Sequence, residues 1–494
     1  MLDHPSRISA ENDAALQKFG IGQPIRRKED DTLVRGKGTY TDDINLPDQV
    51  YAWIVRSSHA HGIIKAIDVE AARAMPGVLG IWTGADLAQA GYNSFTCGLP
   101  MKNRDGSPLF QTNRLPLMTD KVRFVGDPVA FVVARTLAQA REAGEAVVVD
   151  IEPLPSVTGA EEATRPGAPQ LYDHIPNNVA LDYHSGDDAA LDAAFKNAAH
   201  VTRLTVVNTR LAVVAMEPRA ALASYDRKTQ RFTIEVPTQG VAGNRTSLAK
   251  TMNVPNDKVH LLTHNVGGSF GMKNTNYPEY ICIMHAAREL GRPVKWTDER
   301  STSFLSDSHG RAQDVECELA LAADGTFLGV RVRGYGNLGA YITGVAPLPL
   351  SLNIAKNINS VYRMPLIGVD IKCVLTNTTL MGAYRGAGRP EANYFMERLI
   401  DRAADEMGID RLTLRKRNFI KPAQIPYDAA NGFTYDSGDF PAVFNKAIEQ
   451  ADLAGFAKRK KESRKRGKLR GIAVGSYLEI TAPPSAELGK IVFE

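Results

Sequence analysis

VGGSFGMKN, residues 266–274, sits between an apolar, β-branched run (KVHLLTHNV, 258–266) and a helical pattern (YPEYICIMHAARELG, 277–291). Gly267, Gly268 and Gly271 carry no Cβ, so backbone in this stretch can approach a ligand closely. Amides placed between a strand end and a helix start form a donor-rich concavity suited to phosphate or another anion. A plain strand-to-helix turn uses the same residues. Both readings stay open until other polar elements converge on the loop.

Upstream, RFTIEVPTQG (231–240) reads as a strand leading into a helix, VAGNRTSLAKTMN (241–253). That leaves Gln239 beside a helix N-terminus, where its amide can donate to and accept from a ligand or satisfy the helix start. Before it come a short helix (DDAALDAAFKNA) and apolar runs read as strands (HVTRLTVVNTR, then LAVVAM), followed by Glu217 and Pro218. Downstream, PVKWTDER reads as a strand and a charged turn, then DVECELALA and GTFLGVRVRG as a hairpin joined at Ala323-Asp324-Gly325. GYGNLG (334–339) matches the dinucleotide pattern GxGxxG, but its continuation AYITGVAPLPLSL is proline-broken rather than helical. GGSFGMKN is no P-loop, since Asn274 stands where Ser or Thr should bind magnesium. In MGAYRGAGRPEANYFMERLIDRAADEMG (381–408), Gly382, Gly386 and Gly388 make a close-approach loop holding Arg385 and Arg389, and Pro390 suits the start of an amphipathic helix. Arginine there offers a planar fork of donors for phosphate or a metal-oxo group.

The N-terminal region reads as strands QVYAWIVRSS and GVLGIWTG, two short strands around a turn in KVRFVGDPVAFVVA, a helix TLAQAREAGEAV and a strand VVVDIEPLP. These compose an α+β domain ending near Pro155. His59 and His61 in SSHAHG have the spacing of two metal ligands on one strand face, or of a turn after a strand. With 494 residues, 44% hydrophobic and 23% charged, the chain has the composition of a multidomain globular protein. No apolar run reaches membrane-spanning length and the first residues show no signal peptide, so a cytoplasmic location is expected. Cys97, Cys282, Cys317 and Cys373 are far apart and never in a CxxC pair, which argues against disulfides, a zinc site or an iron–sulfur cluster here and for small core residues. Residues 458–470 (KRKKESRKRGKLR) hold nine basic residues and one acid, a local +8 that leaves 4 − 8 = −4 elsewhere. No aromatics interleave, so a solvated helix is expected and nucleic acid is not.

PTQG, VGGSFGMKN and GAYRGAGRPE, in that order and each before a helix, resemble the large, molybdopterin-binding subunit of the xanthine dehydrogenase/aldehyde oxidase family of molybdenum hydroxylases. The similarity is greatest to the carbon-monoxide-dehydrogenase-like group, and GQPIRRKEDDTLVRGKGTYTDDI, HAHGII, MPGV and LRKRNFI share it. The resemblance implies an α+β fold: an N-terminal arm (1–20), a hammerhead domain (21–155), a linker (156–180), a first molybdopterin-binding domain (181–420), a connector with the basic cluster (421–470) and the start of a second molybdopterin-binding domain (471–494). It implies cofactor contacts at Gln239, Gly267, Gly268, Ser269, Phe270, Gly271 and Arg385. Gln239, Phe270 and Arg385 would lie beside the molybdenum without ligating it, and Asn274, Gly386 and Ala387 would face substrate. The implied cofactor is molybdopterin cytosine dinucleotide. The implied reaction is hydroxylation of an aldehyde or N-heteroaromatic carbon with oxygen from water, electrons leaving through a [2Fe–2S] small subunit and an FAD medium subunit.

Three departures qualify this. Carbon monoxide dehydrogenases carry a copper-binding cysteine where this chain has Gly386, and glycine supplies no thiolate, so no copper is expected. Xanthine-oxidising relatives place a carboxylate where Asn274 stands, which moves the expected substrate away from purines. The family's catalytic glutamate belongs to a C-terminal Gly-x-Gly-Glu motif that has no counterpart here. Glu145 belongs to the first domain and Glu479 to a strand leading into the second. Two expectations follow: a hydroxylase portion that is completed by a separate C-terminal polypeptide or is simply truncated, and is inactive alone, or a non-catalytic remnant or assembly scaffold.

Overall fold

The computed structural model describes residues 27–479. The arm expected over 1–20 and residues 480–494 of the C-terminal segment lie outside the described residues. The strands, in chain order, are β1 (Val50–Arg56), β2 (Gly62–Asp68), β3 (Val78–Thr83), β4 (Lys121–Val122), β5 (Pro128–Ala134), β6 (Val148–Pro153), β7 (Val179–Ser185), β8 (His200–Asn208), β9 (Ala220–Asp226), β10 (Arg231–Glu235), β11 (Val259–Leu262), β12 (Val294–Thr297), β13 (Gln313–Leu321), β14 (Phe327–Gly339) and β15 (Ile367–Leu375).

A seven-stranded sheet runs β11-β10-β9-β12-β1-β5-β3 and joins the two halves of the described chain. Its seam is the parallel pairing of β1 with β12, Val50 opposite Val294. β5 lies between β1 and β3, and all seven residues of PVAFVVA are buried, as a strand covered on both faces requires. The helix Pro278–Leu290 packs on β9 of this sheet. Pro278 sits in its first turn, where a missing N–H costs nothing, and Gly291 closes it at φ 64°. A five-stranded sheet, β7-β15-β14-β13-β8, holds the second core, and β4-β2-β6 form a small third sheet. Val157, Ala160, Ala163, Leu171 and Tyr172 from the stretch 156–180 are buried in the same core cluster as the five-stranded sheet.

Three local expectations differ from the structure. LAVVAM forms no strand: Leu211 makes one isolated bridge to Gly310, Val214 is left-handed at φ 49°, and Met216 is 91% exposed. The Arg300 guanidinium donates to the carbonyls of Ala215 and Met216, taking acceptors that a ladder would have used. AYITGVAPLPLSL begins helical turns, Pro347–Leu350 and Leu352–Asn357, because Pro347 occupies the one helix position it favours. The charged turn after β12 continues as a helix, Arg300–Ser306. Beyond the helix Phe456–Lys465, which exposes most of its lysines and arginines, residues 471–479 alternate in burial as a strand would. They have no ladder partner among the described residues; Ser476 is held instead through its carbonyl by the Ser360 hydroxyl at 3.1 Å.

Candidate functional site

The three motifs meet at the glycine loop. Gln239 follows β10 and turns its side-chain Oε1 onto the loop, accepting from the Gly271 amide at 3.0 Å and from the Ser269 hydroxyl. With Oε1 so occupied, Nε2 is left as a donor without an acceptor among the described residues. From the other side the Arg385 amide donates to the Phe270 carbonyl at 2.9 Å, and the Arg385 guanidinium stands 6.0 Å from the Phe270 ring centre. That guanidinium makes no ion pair among the described residues, and Phe270 is 42% exposed.

The loop itself is a nest. Gly268 and Gly271 adopt φ 101° and 97°, and a Cβ on Gly271 would lie 2.5 Å from the Ala383 carbonyl oxygen, so only glycine fits the seam between the two loops. The Gly267 amide is taken by Glu217 and the Gly271 amide by Gln239. Between them, the amides of Gly268, Ser269 and Phe270 have no acceptor among the described residues. Three successive free N–H groups, a free amide donor and an unpaired arginine make a constellation of donors with no anion of its own.

The AYRGAGR loop is held from behind. Arg311 donates to the carbonyls of Tyr384 and Arg385, both at 2.9 Å, and pairs with Glu391 at 2.8 Å. Glu391 in turn accepts from the Gly388 amide at 2.8 Å, capping the helix Arg389–Met407. Burial pushes the Glu391 carboxyl above its ordinary range, opposed by Arg311. Ala387 is left-handed at φ 45° and its carbonyl accepts from Asn353 at 2.7 Å. Gly386, at φ 89°, would place a Cβ 2.4 Å from the Pro390 ring.

Asn274 borders a cavity of about 460 Å³ that also touches Gly240, Asn244, Ser94, Thr96 and Thr343. Its walls combine Phe95 and the carbon surfaces of small residues with hydroxyls and amides, and Lys250 is the one charged side chain, so the space suits a neutral group with a few hydrogen-bonding atoms. Gly386 and Ala387 do not line it. A larger groove, about 700 Å³, crosses the five-stranded sheet and contains no residue of PTQG, VGGSFGMKN or GAYRGAGRPE.

Two residues that no motif reading singled out support the loop. Glu217 and Lys273 are an ion pair at 2.9 Å beneath it, Lys273 fully buried. Lys273 stands inside the quoted stretch, and its place among glycines was the available signal; Glu217 lies 50 residues upstream and gives none. His61 hydrogen-bonds the Pro155 carbonyl at 2.7 Å, neither His59 nor His61 belongs to a group of three metal-ligand side chains among the described residues, and the four cysteines are buried and unpaired. Of His184, Asp188 and Asp370, the one trio of metal-ligand type among the described residues, Asp188 and Asp370 share Arg104, Asp370 also takes Arg333 and His184, and these partners occupy the carboxylates a metal would need.

Comparison with known proteins identifies the family. Residues 171–419 match the molybdopterin cofactor-binding domain, and residues 35–155 match the aldehyde oxidase and xanthine dehydrogenase a/b hammerhead domain. The chain is 34% identical over 498 residues to the carbon monoxide dehydrogenase large chain of Afipia carboxidovorans, covering 97% of this chain and 60% of that one. It is 32% identical over 484 residues to the 6-hydroxypseudooxynicotine dehydrogenase complex subunit gamma of Paenarthrobacter nicotinovorans, covering 96% and 60%. Quinoline 2-oxidoreductase from Pseudomonas putida 86 superposes with a TM-score of 0.83 at 33% identity, over 90% of this chain and 56% of that one. The chain thus spans about 60% of the length of these curated relatives.

Proposed function

The chain belongs to the aldehyde oxidase and xanthine dehydrogenase family of molybdopterin-binding subunits, and from that premise we propose that it forms the cofactor-binding portion of a molybdenum hydroxylase acting on an aldehyde or an N-heteroaromatic ring. The observation that carries this is the row of free amides at Gly268, Ser269 and Phe270, flanked by the free Nε2 of Gln239 and the unpaired Arg385. Such donors fit a pterin-held metal bearing anionic oxygens, and the absence of any exposed cysteine among the described residues suits a metal that brings its own sulfur ligands. When bound, the group supplies the two-electron oxidation that places a water oxygen on carbon. The Gln239 Nε2 and the Arg385 guanidinium, already positioned by Gly271 and Phe270, would donate hydrogen bonds to the group, and the loop amides would hold it from the other side. Asn274 borders the cavity of about 460 Å³, which we assign to substrate although Gln239, Phe270 and Arg385 do not line it, and an amide there is in keeping with a neutral ring or aldehyde rather than a purine held by a carboxylate.

Further parts of the proposal concern what surrounds the site. The dinucleotide is the cytosine form, and copper is not used. At Gly386 the Pro390 ring and the positive φ both exclude a side chain, so a thiolate has no room there. The carboxylates beside the motifs are engaged: Glu217 with Gly267 and Lys273, Glu391 with Gly388 and Arg311, and Glu479 with Arg389 at 2.8 Å. Each of these carboxylates already has a partner, and we assign the proton-accepting glutamate, like the [2Fe–2S] and FAD centres that would carry electrons away, to other polypeptide of the assembly. Co-purifying the native assembly tests this. Molybdenum, iron and flavin should travel with the chain, and a dye-reduction screen should respond to an aldehyde or N-heterocycle. A metal-free chain in a stable complex would instead identify it as a scaffold.

A further inference from the structure

Resting on the assignment of the glycine loop to the pterin cofactor, we propose that Glu217 and Lys273 form a buried clamp that holds the loop in its binding conformation before the cofactor arrives. The clamp grips both ends. At the first, Glu217 and Gly267 exchange two hydrogen bonds: the Glu217 amide donates to the Gly267 carbonyl at 3.1 Å, and the Gly267 amide donates to Glu217 Oε2 at 2.8 Å. At the second, Lys273 Nζ reaches back to the same residue, donating to the Glu217 carbonyl at 2.8 Å and to Oε2 at 2.9 Å. A third tie runs to the first motif. The Lys273 carbonyl accepts from the Thr238 hydroxyl at 2.8 Å, and Thr238 also receives Asn244 Nδ2 and the Gly240 amide. One upstream residue therefore fixes positions 267 and 273, and the span between them must turn outward.

The free amides of Gly268, Ser269 and Phe270 lie inside that span. Gly267 is glycine because a Cβ would sit 2.5 Å from the Cβ of Glu217, so the first grip needs direct backbone contact. The Lys273 side chain is 0% exposed and that of Glu217 10%, so neither charge is solvated and each depends on the other. Burial lowers the Lys273 ammonium pKa, and Glu217 opposes that shift. Both are positioning residues: neither reaches the donor face, and their effect on the cofactor passes through the loop.

Hydrogen exchange of the cofactor-free full-length chain, paired with molybdenum content after expression in a cofactor-producing host, tests the clamp. Glu217→Ala should raise exchange of the Gly267 and Gly271 amides by about tenfold, the loss of roughly one hydrogen bond, while amides of β10 and the helix Pro278–Leu290 keep their protection. Lys273→Met, which strands the Glu217 carboxylate, should do the same and lower Tm. The pair Glu217→Gln with Lys273→Met removes both charges but leaves an amide oxygen for the Gly267 amide, and should recover Tm and Gly267 protection without recovering the Lys273 grip, Gly271 protection or metal content. Wild-type exchange at Gly267 and Gly271 in a folded Glu217→Ala chain would overturn the clamp, as would full molybdenum loading of that variant. A wild-type chain that takes up no molybdenum but shows the exchange contrast would refute the cofactor assignment and leave the clamp standing.

Discussion

Gln239 illustrates how one amide divides its two ends. Its oxygen ties Ser269 and Gly271 into the loop, and its nitrogen has no acceptor among the described residues. Gln239→Glu keeps an oxygen for the loop but removes the donor. In the assembled enzyme it should retain molybdenum while turnover falls by about 10²–10³, the usual loss for one preorganised donor, as measured by dye reduction at saturating substrate. Gly386→Cys tests the copper argument. A side chain there meets the Pro390 ring and a left-handed backbone that costs about 1–2 kcal/mol, so Tm should drop and added Cu(I) should not be retained. At this scale the sequence was informative where chemistry sits in short motifs. Gln239, Phe270 and Arg385 were legible and the structure brings them together, whereas Asn274 lines the cavity without its expected neighbours Gly386 and Ala387. Glu217 was not legible, because an acid 50 residues away acquires meaning only when the chain folds back upon the loop.

Among the elements, the helix Arg389–Met407 and its preceding loop depend on one buttress. Arg311 holds two loop carbonyls and the capping Glu391 at once. Arg311→Ala should cost about 1.5–3 kcal/mol, the range for hydrogen bonds to a charged group, read as a shifted urea midpoint, and should loosen residues 384–388 to proteolysis. Element reading from periodicity worked where a pattern was long, as in Pro278–Leu290 and the β13–β14 hairpin. It failed at LAVVAM, whose apolar, β-branched composition is that of a strand. Arg300 claims the carbonyls of Ala215 and Met216, and Leu211, Val214 and Met216 face outward while Val213 and Ala215 pack into the core, with no ladder formed. The prolines of AYITGVAPLPLSL were read as breakers, although Pro347 stands at a helix start.

For the whole molecule, the seam between β1 and β12 is the feature that no local pattern announced. Its strands are far apart in sequence, and both halves looked self-contained. A buried ion network reinforces that seam. Arg219 contacts Glu279, Asp298 and Asp307, with its guanidinium 3.8 Å from the Tyr277 ring centre, while Arg56 of β1 pairs with Glu279 at 2.5 Å. Arg219→Met would leave three carboxylates around one arginine fewer, and should cost about 3–5 kcal/mol in unfolding free energy. The pH response follows from two opposed groups. Burial alone would raise Glu279, but Arg219 and Arg56 override it and hold the carboxyl at about 2, below its ordinary 4.5. Its stabilising contribution is complete above pH 4.5 and disappears as pH falls toward 2. Asp298, pushed up to about 6 by burial, contributes with the opposite sign, losing its share as pH rises through 6. The stability gap between wild type and Glu279→Gln should therefore be largest above pH 4.5 and close toward pH 2, measured by urea unfolding across that range.

The central claim is that Gln239, the 266–274 loop and Arg385 form one contact face for a molybdenum-pterin cofactor. Molybdenum and released nucleotide per chain, measured on the assembly purified from a cofactor-producing host, test it most directly. Wild type should carry about one molybdenum and one cytidine nucleotide per chain, and the combined Gln239→Ala and Arg385→Ala variant should lose most of both while staying folded. Equal loading of that variant, or a well-folded wild-type assembly that carries neither, would contradict the account.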